Sequence, residues 1–198
     1  RYFASTRDGW KIALHRRRAR RGTHGTPVVF CHGMASNRYN LDGPGRVSLA
    51  RYLNARGYDT WGLELRGAGH SRRQLRMPPV PWHWSFWDYA QHDVPAALRI
   101  VRRHSGRSRV LWVGHSLGGG VAYAALMTPA AHSIAGAVTL GSPGMTDVSH
   151  RTLDAWVPLR RALRFAPGRL PIGSVAKLGS LVAPWLAKLV ADPLRDWG

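Results

Sequence analysis

The stretch Val110 to Gly120 reads VLWVGHSLGGG, and its reading decides the fold. Val110, Leu111, Trp112 and Val113 form a short apolar, β-prone run, the pattern of a buried parallel strand. Gly114-His115-Ser116-Leu117-Gly118 follows and fits the G-x-S-x-G nucleophile elbow. Val121 to Met127 then reads as a helix packed on the sheet. This order of strand, tight turn and helix lifts Ser116 above the sheet edge. Small residues at 114 and 118 let the backbone turn without a Cβ clash. The helix start behind Ser116 offers unpaired N–H groups and a positive dipole end, which suit a developing oxyanion. The alternative is a glycine-rich turn with an idle serine. The flanking strand and helix, each on the required side, favour the elbow.

Toward the N-terminus, Trp10, Ile12 and Leu14 alternate with Lys11, Ala13 and His15, a half-buried strand pattern. Asp8-Gly9 is a hairpin turn signal, which predicts Tyr2 to Ser5 as the antiparallel partner. Arg16 to Gly25 reads as a basic, solvated loop. Val28 to Cys31 is the first buried parallel strand, followed by His32-Gly33-Met34. Gly33 lets the backbone come close to a reacting group, so the backbone N–H groups of Met34 and Leu117 are the expected oxyanion donors. His32 reads as a structural loop residue rather than a base.

Ser48 to Arg56 is a predicted helix with Leu49, Tyr52 and Leu53 on one face, ended by Gly57. Thr60 to Leu65 is the next strand, leading to a tight loop through Arg66-Gly67-Ala68-Gly69-His70-Ser71. Arg72 to Trp87 mixes Pro78, Pro79 and Pro81 with Trp82, Trp84, Phe86 and Trp87. It reads equally as packing under a loop or as pocket lining. Asp93 is an expected N-cap, with Pro95 in the first turn and Gly106 as the stop. Ala97, Leu98 and Val101 face inward on that helix, and Arg99, Arg102 and Arg103 outward. Ile134 to Leu140 is a further strand. After Leu153 the pattern turns helical, with Pro167 and Pro184 as breaks, and suggests either a cap or a core-packing helical hairpin.

Composition sets bounds on all of this. The chain has 198 residues, 44% of them hydrophobic, and a formal net charge of +19, mostly from arginine. Such an excess favours anionic surfaces, lipid or nucleic acid. The arginines are spread over the whole chain with no nucleic-acid fold motif between them, so a solvated surface is the simpler account. No stretch reaches the ~18 consecutive apolar residues of a membrane span. Cys31 is the single cysteine, which rules out an internal disulfide, and its apolar neighbours place it in a buried strand. The histidines are scattered, without H-E-x-x-H or Cys-His spacing, so the sequence points to no metal and no cofactor.

Alternating strands and helices, His-Gly after one strand and Gly-x-Ser-x-Gly after a later one resemble the α/β-hydrolase superfamily. The resemblance runs from about Trp10 to Gly144. Glu64-Leu65-Arg66-Gly67-Ala68-Gly69-His70-Ser71 is similar to the family's D-x-R-G-x-G-x-S loop, with Glu64 where Asp is usual. Trp84 to Tyr89, Asp93 to Ala96 and Trp112 to Gly119 look most like bacterial relatives of acid, gastric-type lipases. The resemblance implies an α/β fold with a doubly wound, mostly parallel sheet. It implies a hydrolase core over 1–149 and the start of a helical cap over 150–198.

The activity implied is carboxylester hydrolysis through an acyl-enzyme on Ser116, with acyl esters or lipids as substrates and an anionic lipid surface as a further partner. An acyltransferase, a thioesterase or a non-catalytic binding protein would share the same fold. In this superfamily the order is Ser, then acid, then His. Asp147, after the strand that follows the elbow, is the internal candidate for the acid. His132 and His150 lack a catalytic context. The expectation is therefore a chain truncated at both ends that lacks its catalytic histidine and is inactive as it stands.

Overall fold

The structure, a computed structural model, describes residues 1–19, 25–44, 47–73, 84–142 and 144. The expected cap over 150–198, Asp147 and His150 lie outside them. Among the described residues seven strands form one sheet: β1 (Tyr2–Ser5), β2 (Trp10–Arg17), β3 (Val28–Cys31), β4 (Thr60–Glu64), β5 (Arg72–Arg73), β6 (Val110–His115) and β7 (Ile134–Leu140). Their order is β1-β2-β4-β3-β6-β7, with β5 paired to β2. Strands β4, β3, β6 and β7 run parallel, and β1 and β2 add an antiparallel hairpin at one side. Gly9 makes the hairpin turn at φ 94°, a conformation open to glycine at little cost.

All four residues of β3 are buried, and their alternation explains why the sheet is wound on both faces. Val29 and Cys31 pack with Trp112, with Ala97 and Val101 of α3 (Val94–Ser105), and with Val121 and Ala125 of α4 (Leu117–Leu126). Val28 and Phe30 point the other way, against Ala50 and Leu53 of α1 (Leu49–Ala55). A strand covered on both faces has no polar side, so the sequence shows an unbroken apolar run there. Cys31 is buried as expected, and burial pushes its thiol pKa up. Among the described residues no helix is long and apolar enough to cross a membrane.

Three local expectations change. β2 continues through Arg16 and Arg17, which the sequence places in a solvated loop. Arg16 holds Asp59 at 2.7 Å and Arg17 holds Asp42 at 2.8 Å, so each cation gains a carboxylate by staying in the sheet. Tyr52 is 53% exposed rather than inward, with Arg56 stacked 3.5 Å from its ring centroid. Asp93 is not a cap. The helical turn α2 (Phe86–Asp88) and a π-helical turn, Tyr89–Asp93, run straight into α3, and the Asp93 side chain makes no capping bond.

Asp93 instead meets Arg66, and both are buried. Arg66 binds Asp93 at 2.7 Å and Asp8 at 2.6 Å, and its backbone N–H donates to Asp93 Oδ2 at 2.9 Å. One guanidinium thus ties the β1–β2 turn, the loop after β4 and the helix leading into α3. Burial pushes the Asp93 carboxyl up, to about 6, against the pull of Arg66. A second buried carboxylate, Glu64, accepts from His15 at 3.1 Å and from the His70 backbone N–H at 2.8 Å. Burial acts to raise its pKa, but these hydrogen bonds outweigh it and hold Glu64 at about 2.

Two outcomes are expected. Arg66→Met leaves Asp93 buried without its counter-ion and should cost about 3–5 kcal/mol in urea unfolding. Glu64 has a folded pKa below its ordinary 4.5, so its contribution is fully present above pH 4.5 and fades toward pH 2. Unfolding measured across that window should show wild-type stability falling more steeply than that of Glu64→Gln. Equal slopes would remove Glu64 as the cause.

Candidate active site

Ser116 stands between β6 and α4 at φ 49° and ψ −116°. L-residues rarely adopt positive φ, because Cβ crowds the backbone. Among the described residues only Ser116 and Ala35, in the loop after β3, do so without being glycine. Both lie at the C-terminal edge of the parallel strands. Strain of this kind persists only where the surroundings hold it.

Here the surroundings are backbone against backbone. A Cβ on Gly114 would run into the Gly118 carbonyl, and one on Gly118 would run into the carbonyls of Cys31 and His32. Trp112 Nε1 donates to Gly118 O at 3.1 Å, and the Ser116 N–H donates to Leu140 O at 2.9 Å. The elbow is therefore tied to β3, β6 and β7 together. Gly33 has a separate reason: a Cβ there would lie 3.0 Å from His115 Nδ1 and 3.3 Å from Ser116 Cβ. The loop carrying Met34 thus rests directly on the elbow. Met34 exposes 71% of its surface beside this loop. Leu117 is the first residue of α4, where the backbone N–H has no acceptor within the helix.

Asn40 joins the two segments and was missed by the sequence reading. Its Oδ1 accepts from the Gly33 N–H at 3.0 Å and lies 2.9 Å from His115 Nδ1. A backbone N–H only donates, so the facing atom is the amide oxygen and His115 Nδ1 carries a proton. Asn40 reaches this position from a short 3₁₀ turn, Arg38–Asn40, capped by Asn37. A three-residue turn leaves no periodicity to read, and the only available signal was the pair of asparagines at 37 and 40.

His32 is buried and fully engaged. The Leu65 N–H donates to its Nε2 at 3.2 Å, which leaves the proton on Nδ1, 2.7 Å from Gly33 O. Burial lowers its pKa and keeps the ring neutral. It shapes the loop and has no nitrogen left for a proton transfer. His132 sits in the 3₁₀ turn that enters β7, at the sheet edge opposite Ser116. Among the described residues no histidine hydrogen-bonds Ser116.

The aromatic segment divides. Trp84 packs edge-on to Trp10 at 5.3 Å and donates to the Tyr89 hydroxyl at 2.7 Å, so it belongs to the core. Phe86 and Trp87 remain 41% and 46% exposed, and Phe86 lies alongside Gly120 in the first turn of α4. Trp82 and the three prolines lie outside the described residues. A cavity of about 620 Å³ beside Gln91, Leu98 and Met127 is lined by none of the elbow or loop residues.

The model of the alpha/beta hydrolase fold family matches residues 26–171. Human Lipase member K is 32% identical over 136 residues, covering 64% of this chain and 34% of that protein. Human gastric triacylglycerol lipase is 31% identical over 136 residues, again 64% of this chain and 34% of the relative. The chain spans about a third of the length of these curated relatives. A thermophilic esterase from Thermogutta terrifontis has a similar fold, with a TM-score of 0.56, 21% identity and coverage of 85% of this chain and 55% of that one. Matched from the approach to β3 through the elbow and beyond β7, the chain belongs to the alpha/beta hydrolase fold family and is distantly related to gastric-type lipases.

Proposed function

We propose that the protein carrying this chain is a serine carboxylester hydrolase that forms an acyl-enzyme on Ser116. The observation that carries the reading is the Ser116 backbone at φ 49° and ψ −116°, pinned by contacts at Gly114, Gly118 and Gly33. This turn presents Oγ at the head of α4. The Leu117 N–H and the Met34 N–H are the donors for the oxyanion. Ser116 Oγ attacks the ester carbonyl, a histidine takes the proton, and water later releases the acid. That histidine comes from outside the described residues, as does Asp147, the internal candidate for the acid. Relatives named as lipases and an esterase support an ester as substrate. The exposed Phe86 alongside Gly120 of α4, with Trp87 against its ring, supports an aliphatic or aromatic acyl group.

Full-length protein treated with a fluorophosphonate probe should be modified at Ser116, and a series of model esters should show preference for apolar acyl chains. Absence of labelling in folded protein would overturn the catalytic reading and leave a binding protein on a hydrolase scaffold. Ser116→Ala and Ser116→Gly should both abolish labelling. Glycine accepts positive φ without the Cβ penalty, so Ser116→Gly should also gain about 1 kcal/mol of stability over Ser116→Ala.

Asn40 is a positioning residue in this scheme. Asn40→Ala should slow labelling about tenfold or more, by loosening the loop that carries an oxyanion donor. It should cost about 1 kcal/mol in stability. Asn40→Asp keeps the acceptor and should restore part of the rate; a rate no better than that of alanine would count against the clamp.

A further inference from the structure

Two histidines meet one carboxylate where the loop after β4 folds back on β2. His15 Nε2 lies 3.1 Å from Glu64 Oε2, and His70 Nδ1 lies 3.2 Å from the same oxygen. The three donor atoms all fall within 4.8 Å of one another. In sequence His15 is far from the other two. The strand register closes that gap by setting His15 of β2 opposite Gly62 of β4, with Glu64 two residues along. Glu64 is fixed from several sides. Ser71 Oγ donates to its backbone carbonyl, the His70 N–H donates to Oε2 at 2.8 Å, and Gly69 packs so close that a Cβ there would collide with the carboxyl.

We propose that His15, Glu64 and His70 form a binding site for a divalent transition-metal ion, zinc by the chemistry of the donors. Two imidazoles and one carboxylate suit zinc and its first-row neighbours rather than calcium or magnesium, which take oxygen ligands. Tetrahedral zinc with bonds of roughly 2.0–2.2 Å sets adjacent donors about 3.3–3.5 Å apart. The observed 3.1 and 3.2 Å need only a small opening, and the partly exposed His70 ring can supply it. The His70 N–H stays on Glu64 as the supporting hydrogen bond that metal-bound carboxylates usually have. Arg16 and Arg17, the next residues of β2, are each matched by an aspartate, which limits repulsion of a cation. The His70 side chain, 43% exposed, opens the site to solvent, and a cavity of about 170 Å³ borders His15 but neither Glu64 nor His70.

A second group, Asp8, Asp88 and His92, is a weaker candidate because one of its carboxylates already serves as counter-ion to the buried Arg66. Asp8 holds Arg66 at 2.6 Å and Asp88 accepts from the Ser85 N–H at 2.6 Å. At the first site the ion would clamp β2, β4 and the loop that also delivers the Leu65 N–H to His32 and Arg66 to Asp93. Its work is structural, two strands along the sheet edge from Ser116.

The test uses full-length protein stripped with a chelator and titrated with Co²⁺ alone. One equivalent should give the visible absorption of a tetrahedral site, and Zn²⁺ should displace it. Zn²⁺ should also raise the Tm. His70→Ala should weaken Co²⁺ binding about tenfold or more and abolish the Tm rise. His15→Ala should do the same, and His132→Ala, an exposed histidine elsewhere, should change neither. The proposal is overturned if wild type shows no tetrahedral Co²⁺ spectrum and no Tm rise. It is overturned equally if His70→Ala binds like wild type, or if His132→Ala weakens binding as much as His70→Ala.

Discussion

The contact on which this structure depends is the meeting of the first turn of α4 with the ends of β3 and β6. Gly118 lies against the carbonyls of Cys31 and His32, and Gly114 against the carbonyl of Gly118. No side chain fits between these backbones. The contact is only as wide as a peptide, so it holds Ser116 in a left-handed conformation that its own Cβ opposes. Dispersion between close-packed backbone atoms, with the Trp112 and Leu140 hydrogen bonds, offsets that strain. The loop after β3 is then placed by the same geometry, because Gly33 has nowhere to go but onto His115 and Ser116.

Around this contact several polar groups of the sheet edge hold loops. His32 fastens the end of β4, Asn40 fastens the loop after β3, and Arg66 gathers Asp8 and Asp93 from two other segments. Buried ions of this kind are costly to desolvate and costly to break, so they favour one arrangement of the loops over others. Glu64 extends the pattern with two histidines. A glutamate is one methylene longer than the aspartate usual in the resembled loop, and here its carboxylate reaches both rings. What looks in sequence like a local departure is, in three dimensions, a junction of two strands and a loop.

The elements easiest to read in the sequence were those whose signal is local. The apolar run of β3 and the alternation of β2 each carry their own period and stand where expected, and Gly114 to Gly118 spans the turn from β6 into α4. Gly106 ends α3 at φ 69°, as a stop signal should. Readings failed where a long-range partner overrides local preference. Asp93 looks like a cap until Arg66 claims it, and Arg16 looks like a loop residue until Asp59 claims it; Tyr52 differs, turning outward under the local partner Arg56 four residues on.

The amino-acid sequence by itself determined the alternation of strands and helices, the glycines that permit the tight turn, and Ser116 as the residue at its apex. Each of these follows from the conformational limits of a few adjacent residues. Tertiary structure alone decided that Asn40 bridges loop and elbow, that His32 has both nitrogens engaged, and that His15 and His70 share one carboxylate. These pairings join residues from different strands and loops. Strand register and loop closure select them, and neither leaves a period in the chain.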